Sequence, residues 1–75
     1  MSGPEFVAKV IVQATELSDL TALTPGSEHV DWISRWGDSG QLIFLFRDDR
    51  DAASFFAQCR FKGFSVSRPM ALRRP

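Results

Sequence analysis

A single cysteine, a single histidine and no long apolar run set the first limits on this 75-residue chain. Cys59 has no second thiol to bond with, so an internal disulfide is excluded. With His29 as the only imidazole, no Cys/His set with metal-ligand spacing exists either. No stretch approaches the roughly 20 apolar residues that span a bilayer. The five glycines serve turns and element ends, which leaves no glycine-rich loop to cradle a phosphate. The N-terminal "MSGPEF" lacks a basic flank and an apolar core. The expectation is therefore an intracellular, reduced, cytoplasmic protein without membrane contact.

A domain this short buries only about 60% of the surface its unfolded chain exposes. Without disulfides or metal, it must rely on dense packing or on a partner. Seven phenylalanines and two tryptophans supply large buried areas for that purpose. The formal net charge is zero, but the charges are segregated. Residues 1–59 hold four basic side chains against nine acids, a balance of −5, and residues 60–75 hold five basic side chains and no acid. A basic tail suited to an anionic partner, or to the chain's own acidic body, is one consequence.

Along the chain, "FVAKVIVQA" (6–14) alternates as a strand, with Phe6, Ala8, Val10, Val12 and Ala14 on one face. "TELSDLTAL" (15–23) predicts a short helix with Leu17, Leu20 and Leu23 on one stripe, stopped at Pro25 and Gly26. "HVDWISRWGDSGQLIFLF" (29–46) predicts a hairpin. "DDRDAASFFAQCRFKG" (48–63) is the strongest helix, with Asp48 or Asp49 as cap, Asp51 in the first turn, and Ala52, Phe55, Phe56 and Cys59 on one face. Gly63 is placed to end it. "FSVSRPMAL" (64–72) closes as a strand that Pro69 confines to an edge.

The order strand, helix, strand, strand, helix, strand predicts an α+β fold of the ferredoxin-like split βαβ kind. One four-stranded antiparallel sheet carries both helices on one face. The domain is expected over 1–68, with 69–75 as a basic C-terminal tail.

A two- or four-residue turn at "GDSG" pairs Trp36 with Gln41 and Trp32 with Leu45, which puts Trp32, Trp36, Ile43 and Leu45 together. Two helices cover one side only. The expected helix-free face holds Ile11, Ile43, Leu45, Trp32 and Trp36, with Val7 and Val30 at its margins and Lys9 and Arg47 among them. An apolar surface of that size, bordered by polar groups, marks an interface. Two other arrangements remain open: exchanged hairpin faces, or a tail that plugs the sheet with Met70 and Leu72.

Candidate chemistry is sparse. Asp48, Asp49 and Asp51 could hold a cation, but capping and the helix dipole account for all three. His29 and Asp31 share a strand face with no nucleophile nearby. Cys59 lies on an apolar stripe, where thiols act as small hydrophobes. No catalytic, cofactor-binding or metal-ligating residue is assigned, and no small-molecule substrate is evident. "KGFSV" (62–66) matches the aromatic strand motif of RNA-recognition domains in letters only, since there the motif occupies the third strand and here it falls on the fourth. "LFRDDRDAASFFAQCRFKGFSV" (45–66) is similar in plan to the last half of ferredoxin-like regulatory domains, among them ACT modules and small inhibitors of RNA-processing enzymes. That resemblance extends to the fold alone. The function expected is a non-catalytic regulatory or interaction module, not an enzyme. It would bind a protein partner or a second copy of itself through the helix-free face. The alternative is single-stranded RNA or DNA binding by the tryptophans and by Arg68, Arg73 and Arg74.

Overall fold

The computed structural model describes residues 6–13 and 18–72. The strand end at Ala14, the helix start at 15–17 and the tail arginines Arg73 and Arg74 lie outside the described residues. The elements are β1 (Ala8–Gln13), α1 (Ser18–Thr21), β2 (Trp32–Trp36), β3 (Leu42–Phe46), α2 (Asp49–Phe61), β4 (Ser65–Val66) and β5 (Met70–Ala71). They form a small α+β domain with one antiparallel sheet in the order β2-β3-β1-β4, and β5 also pairs with β1. The expected cover of two helices is reduced: α2 is a full helix, and α1 is a four-residue turn. The segment after it turns early, with Leu23 N–H donating to Leu20 O and Thr24 N–H to Thr21 O.

The hairpin pairs one residue away from the expected register. Trp32 faces Phe46, Ile33 faces Leu45, Ser34 faces Phe44, Arg35 faces Ile43 and Trp36 faces Leu42. The turn is the cause. Gly37 N–H donates to Gln41 O, and Gly40 N–H to Gly37 O, so the loop has three residues, Asp38, Ser39 and Gly40. Such a loop is a tight turn followed by one residue in the left-handed region, and Gly40 takes it with φ +82. Two- and four-residue loops share a parity, and three breaks it. A shift of one residue moves every β2 side chain to the opposite face. Trp32 and Trp36 therefore lie on the helix side of the sheet, and Ile33 and Arg35 lie on the helix-free side.

On the helix side, Ala8, Val10 and Val12 of β1 and Leu42, Phe44 and Phe46 of β3 are buried, as alternation predicts. α2 packs on β1, β3 and β4 and adds Ala52, Phe55 and Cys59 to this core. Phe44 lies at its centre, with ring centroids 4.5 Å from Phe55, 5.4 Å from Trp32 and 6.4 Å from Phe46. Leu20 of α1 belongs to the same core, and Leu23, Phe64 and Val66 pack against it.

Local chemistry fixes both ends of α2. Asp48 has extended backbone, and its carboxylate accepts from Arg50 N–H at 2.8 Å. At the other end, Gly63 N–H donates to Arg60 O and Phe64 N–H to Cys59 O, with Gly63 at φ +91. This double closure needs a residue that tolerates positive φ.

The chain does not leave the sheet at Pro69. Val66 pairs with Val12 and Met70 with Lys9, so three residues (67–69) on one strand span two (10–11) on the other. That is a bulge. Ile11 N–H donates to the Ser67 hydroxyl at 3.0 Å, and Ser67 N–H donates to Ile11 O at 2.8 Å. The extra residue turns Met70 to the helix-free side, beside Lys9. Leu72 N–H then donates to Val7 O, so the sheet edge continues past the expected domain limit at residue 68.

Candidate interaction surface

The sheet face opposite α2 is built from alternate residues of three strands. β1 contributes Lys9 and Ile11, β3 contributes Ile43 and Leu45, and β2 contributes Ile33 and Arg35. Ile11 lies directly across from Ile43 and Leu45 from Ile33, so four branched aliphatic side chains form one cluster. All four are half-buried, and none belongs to the core. Val7 and Met70, 36% and 38% exposed, extend the apolar margin along the β5 edge.

Both charged side chains that the strands themselves place on this face are basic. Lys9 and Arg35 flank the cluster. Asp31, the nearest acid ahead of β2, instead accepts from Ser27 N–H at 2.8 Å. Arg47 was expected among the free cations of the face. Its N–H donates to Asp31 O at 3.0 Å and its guanidinium to Val30 O at 3.1 Å, so it clamps the loop leading into β2. Gly26, at φ +79, completes that loop, because a Cβ there would run into the Asp31 carboxylate.

Of the expected surface residues, Ile11, Ile43, Leu45 and Lys9 lie together on the helix-free side. Trp32 does not: it is 3% exposed, under the helix side and against Phe44. Trp36 is 52% exposed but also on the helix side, opposite Leu42. Ile33 and Arg35 were missed, and the glycine at the fourth position of "GDSG" is the signal that would have found them, since it marks the three-residue loop. Without the two indoles, the strands present no aromatic ring on this face for a base to stack on. Arg68 is exposed beside the bulge.

The remaining polar groups are occupied or isolated. His29 has left-handed backbone, φ +68, and lies in the turn before β2 with its imidazole 3.7 Å from Glu28. His29 and Asp31 lie in that turn rather than on a shared strand face, and Asp31 is bound to Ser27. Asp48 caps α2, and no group of three His, Cys, Asp or Glu side chains among the described residues could hold a metal ion. Phe61, 84% exposed at the end of α2, is a lone ring of the kind soluble surfaces tolerate. Among the described residues no helix is long and apolar enough to cross a membrane.

Cys59 is buried against the sheet, and burial pushes its thiol up from 9.0 to about 11. An acid whose folded pKa is raised holds its proton longer when folded than when unfolded. Folding stability should therefore be unaffected by this group below about pH 9 and fall as pH rises from about 9 to about 11. The check is urea denaturation at pH 8 and pH 10.5 for wild type and Cys59→Ala. The alanine variant should lose less over that interval, and identical losses would show that the thiol does not titrate there.

Comparison with protein-family models, curated proteins and solved structures finds no match to this chain.

Proposed function

We propose that this domain is a non-catalytic interaction module that docks its helix-free sheet face on another protein. The observation that carries this reading is the cluster of Ile11, Ile33, Ile43 and Leu45, left without a covering layer and flanked by Lys9 and Arg35. Aliphatic surface gains about 25 cal/mol for each Å² removed from water, and a cationic border selects a partner whose own border is acidic. A second copy is a poorer fit, because a two-fold contact through this face brings like charges together. The strand order, with β1 and β3 central, favours a ferredoxin-like split βαβ plan in which the described part of the first connection holds one helical turn. That plan leaves one sheet face for function. Single-stranded nucleic acid ranks behind protein as a ligand, since the base-stacking tryptophans are on the other side.

Ile43→Asp tests this reading. The side chain points away from the core, so circular dichroism and the melting transition should stay close to wild type. Recovery of the bound partner from the host lysate should drop about tenfold or more, the usual loss when a central interface residue is replaced. Equal recovery by both forms, or a wild-type chain that retains nothing, would remove the proposal.

A further inference from the structure

The two edges of the sheet differ. The β4–β5 edge is blunted by four devices: two strands of two residues each, a bulge, Pro69 without an N–H, and exposed Arg68. Beyond its first residue the β2 edge carries one of these, the exposed Arg35, and has no bulge and no proline. Asp31 O and Gly37 N–H both point at β3, so the odd-numbered residues of β2 bond inward and the even-numbered ones present their backbone groups outward. At Trp32 the outward carbonyl accepts from His29 N–H at 2.7 Å, and the loop around His29 closes that end. At Ser34 and Trp36, no described residue pairs with the outward N–H and C=O groups.

We propose that the β2 edge, from Ser34 to Trp36, accepts an extended polypeptide segment of a protein partner as an added antiparallel strand, with an acidic side chain opposite Arg35 and an apolar one beside Trp36. The inference rests on the protein-binding reading and specifies a second contact, through backbone rather than through the sheet face. Main-chain hydrogen bonds would supply affinity, and alternate side chains would supply selectivity. Arg35 is exposed at the middle of the open edge, where a directly opposed carboxylate is favourable and a like charge is not. Trp36 offers half of its surface on the other side.

The same geometry disfavours a second copy as occupant. Pairing Ser34 with a neighbour's Trp36 sets Arg35 against Arg35. A pair centred on Ser34 drives Trp36 into the loop that holds Trp32. A pair centred on Trp36 uses only the last residues of the strand. An acidic extended segment meets none of these obstacles.

The test uses the full chain and a blocked seven-residue peptide of alternating valine and glutamate, alongside the same peptide with N-methylated backbone. The plain peptide should bind, shift the Trp36 emission to the blue and slow amide exchange at Ser34 and Trp36, and the N-methylated form should not. Ser34→Pro removes one outward N–H and leaves the ladder to β3 intact, so it should weaken the peptide about tenfold without altering the melting transition. Ile11→Ser, on the same face but on β1 and two strands from the edge, should leave peptide binding unchanged, which separates failure of the edge from failure of the face. Equal binding of both peptides, no binding of the plain one, or a wild-type dimer that Ser34→Pro dissociates would each overturn the proposal.

Discussion

Trp32→Ala is expected to cost about 3–5 kcal/mol of folding stability, the usual range for emptying a buried aromatic site. Trp36→Ala should cost less than about 1 kcal/mol, as befits a half-exposed side chain at a strand end. The contrast follows from the three-residue loop. Had the hairpin turned in two or four residues, both indoles would lie on the helix-free side and both substitutions would be mild. Urea denaturation of the two variants decides it, and equal small losses would contradict the pairing of Trp32 with Phe46. Emission should agree, with Trp32 blue and unquenched by iodide and Trp36 red and quenched. Trp32 also has a price inside the core, since its buried Nε1–H has no acceptor among the described residues. An orphaned donor costs about 1–3 kcal/mol. Trp32→Phe removes that donor and keeps most of the ring, so it should lose far less than Trp32→Ala.

Phe44→Ala should be at least as damaging. Three rings lean on Phe44, from β2, β3 and α2, so its removal opens a cavity that no single neighbour can fill. A domain of this length has a total stability of about 4–11 kcal/mol, and a loss of about 3–5 leaves a large unfolded fraction at 37 °C. The measure is the urea midpoint together with near-ultraviolet circular dichroism, which reports fixed aromatic packing. Phe61→Ala, at the exposed end of α2, is the control and should change stability by no more than about 0.5 kcal/mol. Similar losses at the two positions would mean that Phe44 is not central to the core.

The parts of this fold that can be read from sequence are those with a local cause. Asp48 and Gly63 announce the two ends of α2 because capping and left-handed closure depend on residue type over a few positions. Alternation in β1 and β3 is just as local, and it identifies Val10, Val12, Leu42, Phe44 and Phe46 as core. Other features have no such marker. The helix expected at 15–23 has the right leucine spacing, yet Leu23 and Thr24 turn back onto Leu20 and Thr21. The bulge at 67–69 is set by how the edge meets β1, and nothing in "SVSRPM" fixes the number of residues opposite Ile11. For the surface, Ile11, Ile43, Leu45 and Lys9 follow from alternation. The β2 contribution hangs on one integer, the loop length, and an odd value exchanges Trp32 and Trp36 for Ile33 and Arg35.

The position of β1 has a consequence for how the protein is made. It precedes the other strands in the chain yet occupies the middle of the sheet, between β3 on one flank and β4 with β5 on the other. While the ribosome is still adding the hairpin, β1 has neither neighbour, and its valines and isoleucine stay wet. The native sheet closes only once the final strand has emerged, so a nascent chain stalled before residue 65 would hold a helix and hairpin with nothing to finish their second flank.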